Sequence, residues 1–236
     1  MEKHRFISPD KSILTNPRII LGSFPTWTVA LPDSTAKKIK RTQNNDLLFF
    51  YGSSRNQLWK WYKNYVDKRV EIDQIDSIKS SLRDNNIGLS DMILSCERKN
   101  KSAADSDLTC RVYNDHFFLL PKKGETLKIL CTSKGVLNTM LLRPEFFSIH
   151  SNIELNQKHS DELQEIWLKE INGDAGLINK PFLRVLQVKN GGVLHCIALP
   201  SPGSPYRGLK HFGFYSGDPK KYLDEYLKKA FTLFLK

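Results

Sequence analysis

Apolar positions along the chain fall into two alternating patterns. Four segments are short, apolar or β-branched, and most end at Gly, Pro or small polar residues: 18–22, 88–94, 127–132 and 193–199. That is the signature of strands buried on both faces. Between them the apolar spacing becomes helical. Residues 56–66 carry Leu58, Trp59, Trp61, Tyr62 and Tyr65, and residues 75–85 place Ile75, Ile78 and Leu82 on one stripe. Residues 134–142, 161–171 and 219–235 also read as helices, the last with Asp218 suited to an N-cap and Pro219 to the first turn. Strands alternating with helices predict an α/β fold: a central, mostly parallel four-stranded sheet covered on both faces. Ligands of such sheets bind beyond the carboxyl ends of the strands. Three of those ends are polar, Gly-rich or Pro-rich (22–25, 132–134 and 200–205) and are expected to meet on one rim. No Gly/Ser/Pro-rich linker divides the chain, so one domain over 1–236 is expected, with 146–179 as the candidate insertion.

Charge narrows the class of partner. The chain has 236 residues, with 36 Lys and Arg against 25 Asp and Glu, a formal net charge of +11. Such a surplus favours a polyanion, either nucleic acid or an acidic membrane face. No apolar run approaches the roughly 18 residues of a membrane span. The opening MEKHRFISPD lacks the apolar core of a secretory signal, so no membrane association and a cytoplasmic location are expected. Cys96, Cys110, Cys131 and Cys196 form no C-x-x-C pair, which argues against zinc or iron–sulfur ligation and for buried free thiols. There is no P-loop and no G-x-G-x-x-G to suggest a nucleotide-processing enzyme.

Four constellations carry candidate chemistry. The first strand runs into GSFP (22–25), a tight turn that exposes backbone N–H groups; a structural turn is its simpler meaning. In FFYGSSRNQLW (49–59) aromatics precede a Gly-Ser-Ser turn, and Arg55 and Asn56 open a helix. An aromatic face there can stack on a base, whereas Asn56 can equally be a helix cap. GLSDMI (88–93), with Ser95–Arg98 and Ser102–Asp107 beyond it, either lines a pocket or forms a solvated loop. Finally, LPSPGSPYRG (199–208) has three prolines in six residues, which stiffen it because each fixes φ. A stiff loop of small residues with Tyr206, Arg207 and then Lys210 beyond suits pressing on a DNA backbone and filling a gap in its stack.

Taken together, GSFP, FYGSSRNQLW, GLSDMILSCER and LPSPGSP resemble, in that order, the motifs of the uracil-DNA glycosylase superfamily, nearest its hypoxanthine-DNA glycosylase branch. The resemblance spans about residues 17–135 and 193–208. It implies a three-layer α/β/α fold and hydrolysis of the bond between a damaged base and deoxyribose, with DNA as partner and no cofactor or metal. Most branches place a catalytic Asp or Asn in the first motif, where this chain has Phe24. The hypoxanthine-type branch shares that change and uses the Asn of its second block, which corresponds to Asn56. On the same correspondence Tyr51 stacks on the flipped base, and Gly22, Ser23 and Phe24 lie near it. Ser90, Asp91 and Ser95 lie at the strand end that faces the leaving base. Ser201 belongs to the loop that pinches phosphate, and Ser204, Pro205, Tyr206 and Arg207 supply the wedge. Two departures stand out: Ser54 replaces the usual Pro of the second block, and the PSPGSPYR loop is one residue longer than the family form. Asp105–Asp107 resembles the family's S-x-D element, with an extra Asn-Lys ahead of it.

The expected mechanism follows. A base inside a duplex must be turned out, at a cost of a few kcal/mol. Phosphate contacts offset this, expected from Arg55, Arg207 and Lys210 and from the run Lys37, Lys38, Lys40 and Arg41. Asn56 is neutral and orients water rather than acting as a strong base. No lysine is placed as a Schiff-base nucleophile, so a monofunctional, monomeric enzyme leaving an abasic site is expected. Two alternatives keep the scaffold: excision of a bulkier phage-type modified base in defence, or DNA binding without catalysis.

Overall fold

The computed structural model describes residues 1–7, 13–30, 46–99 and 104–236. Its strands are β1 (Glu2–Lys3), β2 (Arg18–Gly22), β3 (Ile87–Asp91), β4 (Ile93–Arg98), β5 (Leu108–Tyr113), β6 (Thr126–Cys131), β7 (Ile153–Leu155), β8 (Leu183–Val188) and β9 (Val193–Ala198). Its helices are α1 (Trp27–Ala30), α2 (Leu58–Tyr65), α3 (Ile75–Asp84), α4 (Pro144–Ile149), α5 (Gln157–Glu170) and α6 (Pro219–Leu235). Residues Val136–Leu141, expected as an ordinary helix, form a π-helical segment.

The main sheet has six strands rather than four, in the order β3-β2-β6-β9-β8-β7, and it is mixed. The pairs β3–β2, β2–β6 and β6–β9 are parallel, whereas β9–β8 and β8–β7 are antiparallel. The extra strands have a local cause. Leu183–Val188 returns into Val193 through Lys189-Asn190-Gly191-Gly192, with Gly191 at φ +90° and Asn190 Oδ1 accepting from Gly192 N at 2.9 Å. A turn of that composition favours a hairpin. The segment expected as an insertion is woven into the same sheet: Ile153–Leu155 is its edge strand, and α5 packs on β8.

The expected strand 88–94 is two strands. Register with β2 ends at Gly22↔Asp91, and β4 then turns into a separate three-stranded sheet, β1-β4-β5. One apolar run therefore serves two sheets, joined at Met92, which is fully buried.

Helix α6 shows how patterning produces packing. Asp218 caps it by accepting from Lys220 N at 2.8 Å, with Pro219 at its first turn. Its buried residues Tyr222, Leu223, Tyr226, Leu227, Ala230, Phe231 and Phe234 recur at spacings of three and four, one apolar stripe. Each such large side chain contributes about 1.5–3 kcal/mol when fully buried. The Tyr226 hydroxyl donates to the Ala198 carbonyl at 2.6 Å and ties the helix to the end of β9. Helix α2 buries Leu58, Trp59, Trp61 and Tyr62, and the Trp59 indole donates to the Phe50 carbonyl at 2.9 Å. That contact anchors the aromatic segment ahead of α2 to the core.

Candidate functional site

The carboxyl ends of the parallel strands lie level. Gly22 pairs with Asp91, Leu21 with Cys131, and Cys131 with Ala198. Chain leaving those ends encloses a cavity of about 450 Å³. Small-molecule sites commonly span about 300–1,000 Å³. Its walls bring together stretches far apart in sequence: Ser23 to Thr26 after β2, Tyr51 to Ser53 with Asn56 ahead of α2, Asp91 ending β3, Asp105 before β5, Thr132 and Ser133 after β6, and Ser201 to Ser204 with Arg207 after β9.

Gly22 lies behind this wall rather than in it. A Cβ there would fall 2.2 Å from Asp91 Oδ1 and 2.6 Å from Tyr51 Cε1. Only glycine lets the strand end, the carboxylate and the phenol approach so closely.

Tyr51 is held in the left-handed region at φ 55°, a conformation that costs a bulky residue about 1–3 kcal/mol. Its hydroxyl lies 3.0 Å from the Ser90 carbonyl and 3.2 Å from Asp91 Oδ1. Burial first, and then the Asp91 charge, hold its pKa well above the ordinary phenol value. The ring is therefore a neutral face, fixed from behind by its own hydroxyl.

Asn56 lines the same cavity, and its Oδ1 accepts from Leu58 N at 2.9 Å. This contact closes a local turn just ahead of α2 and fixes the direction of the side chain. An amide held in this way keeps a second oxygen lone pair and two N–H donors for a ligand or water.

Asp91 is 3% exposed and takes a hydrogen bond at Oδ2 from His4 Nε2, 2.7 Å away. The tautomer follows from the other ring nitrogen: Nδ1 accepts from Phe6 N and Ile7 N at 3.1 and 3.2 Å, so the proton sits on Nε2. His4 also packs edge-on against Phe24, with ring centroids 5.5 Å apart. Phe24 is 8% exposed, and the Arg98 guanidinium lies 5.6 Å from its ring centroid. It forms an apolar wall where a polar group was the alternative. Nearby, the Thr26 hydroxyl is buried with no hydrogen-bond partner among the described residues.

Asp105 is a cavity residue from the stretch that the sequence left open between pocket wall and solvated loop, and it was not named among the expected site residues. Burial is the main cause of its raised pKa, and the Asp91 charge adds to it; the Ser23 hydrogen bond, Arg111 and Arg98 pull the other way. The acidic stretch itself was visible in the sequence, but nothing local indicated that its first carboxylate turns inward. His4 carried no sequence signal at all, since its partner lies 87 positions away.

Several expected residues lie elsewhere. Ser90 is 1% exposed, accepts from Asn114 Nδ2 at 3.1 Å and holds Tyr51 through its carbonyl, but does not line the cavity. Ser95 pairs with Lys3 and Val112 in the small sheet, away from the cavity. Arg55 is exposed and outside the walls. Pro205 lines an adjoining cavity of about 320 Å³ with Lys134, Lys180 and His211, while Ser201, Ser204 and Arg207 border both cavities. Tyr206 is 53% exposed beside α2 and α6, and Lys210 is exposed and borders neither cavity. Lys37, Lys38, Lys40 and Arg41 lie outside the described residues. The cysteines are free, but only Cys96, Cys131 and Cys196 are buried; Cys110, on β5, is exposed.

Among the described residues, no group of three or more His, Cys, Asp or Glu side chains is placed to hold a metal ion, and no helix is long and apolar enough to cross a membrane. The chain matches no protein-family model, no curated protein and no solved structure.

Proposed function

We propose that the protein is a monofunctional DNA glycosylase, which turns a deaminated or modified base out of DNA and hydrolyses its N-glycosidic bond. One observation carries this reading. The Tyr51 ring, the Asn56 amide and the Ser23–Phe24 turn converge on one cavity of about 450 Å³ at the carboxyl rim of the parallel strands. A fixed, neutral aromatic face suits stacking on a base, worth about 1–3 kcal/mol. The Thr26 hydroxyl adds to the pocket wall a buried polar group without a hydrogen-bond partner among the described residues. The stiff 201–207 loop and Arg207 border the opening and would meet the backbone of the strand from which the base is drawn. The +11 surplus supports a polyanionic partner, and the three-layer arrangement of that superfamily belongs to the same proposal.

Asn56 would orient the attacking water from its remaining lone pair, a positioning effect. The test is mass-spectrometric identification of the base released from a mixed pool of lesion-bearing duplexes, with wild type and Asn56→Ala side by side. One released base is expected from the wild type, with a loss of about 100-fold in Asn56→Ala at unchanged duplex affinity. The variant also loses the turn hydrogen bond from Leu58 N, worth about 1 kcal/mol, so its fold is checked by thermal unfolding. Duplex binding with no base released by the wild type from any substrate would favour the non-catalytic alternative, which the Phe24 wall also suggests.

A further inference from the structure

Hydrolysis of an N-glycosidic bond needs a group that takes a proton from the attacking water. The cavity walls offer few. Asn56 and Thr26 are neutral, Arg207 is a permanent cation, and among the described residues no histidine lines the space. Two carboxylates among the described residues line it, Asp91 and Asp105. Asp91 is engaged at Oδ2 by His4 at 2.7 Å, and its Oδ1 lies 3.2 Å from the Tyr51 hydroxyl, whose shorter contact is to the Ser90 carbonyl. Asp105 instead sits in a short 3-10 turn, Asp105–Asp107, and lines the cavity beside Ser23.

We infer that Asp105 is the catalytic base of this site, the carboxylate that takes the proton from the water oriented by Asn56. This rests on the glycosylase reading and names the residue that makes it hydrolytic. The water oxygen forms a bond to the sugar C1′ as the bond from C1′ to the base nitrogen breaks, and that electron pair leaves with the base. The water proton passes to Asp105, which returns it to the departing base or to solvent, so one water is consumed and the enzyme is regenerated.

The surroundings suit the task. Facing Asp105 are Ser23 from the turn after β2, Asp91 from β3, Arg98 from β4 and Arg111 from β5. The two arginines are largely engaged elsewhere. Arg98 pairs with Glu2 at 3.1 Å and donates to the Pro25 carbonyl at 2.8 Å. Arg111 donates to the Leu108 carbonyl at 2.7 Å and to the Asp105 backbone carbonyl at 2.5 Å. Neither forms a salt bridge with the Asp105 carboxylate among the described residues. Burial, reinforced by the Asp91 charge, therefore prevails, and the carboxylate holds a proton more tightly than an exposed aspartate. A base of raised proton affinity lies nearer the optimum for proton transfer at neutral pH.

The test combines single-turnover base release across pH with direct titration of the Asp105 carboxyl by carbon NMR in the free protein. In the wild type the rate should rise with pH as Asp105 deprotonates, then level off, and the NMR titration should fall above the usual aspartate range. Asp105→Asn should release base about 100-fold or more slowly, with unchanged duplex affinity and without that acidic limb. If the wild type releases base and Asp105→Asn matches it in rate or keeps its pH profile, the assignment to Asp105 fails and the glycosylase reading stands. An ordinary NMR titration would likewise overturn the assignment, whether or not the variant folds. If the wild type releases no base at all, the glycosylase reading fails and takes this assignment with it.

Discussion

Replacing Gly22 with alanine tests the architecture of the site independently of its substrate. The added carbon would lie 2.2 Å from Asp91 Oδ1, 2.6 Å from Tyr51 Cε1 and 2.9 Å from the Tyr51 hydroxyl. Each distance is far inside van der Waals contact, so something must move. Neither neighbour yields freely. The Asp91 carboxylate is tied to His4 at 2.7 Å, and the Tyr51 hydroxyl to the Ser90 carbonyl at 3.0 Å. The strand end is fixed as well, because Gly22 O accepts from Met92 N at 2.9 Å. Overpacking of a closed site costs about 1–3 kcal/mol. Breaking one neutral hydrogen bond adds about 1 kcal/mol, and one to a charged group about 1.5–3 kcal/mol. A total destabilisation of about 3 kcal/mol is expected, allowing for partial relief by side-chain rotation. Urea unfolding followed by Trp fluorescence would show it as a lower midpoint at unchanged slope. Base release should fall further than stability alone requires, because the Tyr51 face moves. A Gly22→Ala protein within about 0.5 kcal/mol of wild type, with undiminished release, would show that Asp91 and Tyr51 are not packed as described.

Two further substitutions address the groups behind and beside the cavity. His4→Ala removes the donor to Asp91 and the acceptor for Phe6 N and Ile7 N. It should cost about 2–3 kcal/mol; a loss under 1 kcal/mol in urea unfolding would refute the tautomer and the contact together. Lys134 is held down to about 7 by burial, over the Phe212 ring at 4.5 Å and donating to the His211 carbonyl. Its folded value lies below its unfolded one, so its penalty on stability is complete below pH 7 and is relieved as pH rises toward the ordinary lysine value. Wild-type stability should therefore gain on Lys134→Met across that window, and parallel stability curves would contradict it.

Much of the framework was legible because its signals are local. Apolar runs ending in Gly, Pro or small polar residues marked β2, β6 and β9, and the stripe with Asp218-Pro219 marked α6 within a residue. Strand β8 was missed although Leu183–Val188 is apolar and leads into a Gly-Gly turn, a hairpin signal masked by the expectation of βαβ units. Strands β3 and β4 merged because burial runs on through Met92 while the pairing partner changes. Periodicity records burial and says nothing of partners. The rim was also foreseeable, since Ser23, Tyr51, Asn56 and Ser201 all reach one cavity. Ser90 and Ser95 show the limit. In a strand, adjacent side chains face opposite sides, so a polar motif beyond a strand does not reveal which of its members face the ligand.

The division of labour around the cavity then explains how Phe24 can occupy the first motif. A polar group there would compete for the space beside His4 and Arg98, where the phenylalanine ring packs edge-on at 5.5 Å and within 5.6 Å respectively. With an apolar wall on that side, the polar groups able to handle water stand on the other segments: Asn56 ahead of α2 and Asp105 before β5. Of the cations near Asp105, Arg98 and Arg111 are engaged by Glu2 and by backbone carbonyls, and Arg207 borders the same cavity. Lys134, Lys180 and His211 line the adjoining cavity, and the 201–207 loop separates it from the first, with Arg207 touching each. On the glycosylase reading, Arg207, which touches both cavities, is the group placed to meet a phosphate beside the reacting carbon. A cation beside Asp105 would lower its proton affinity and weaken it as a base. On the glycosylase reading, burial and the Asp91 charge must therefore outweigh the pull of Arg98 and Arg111 if Asp105 is to keep its basicity.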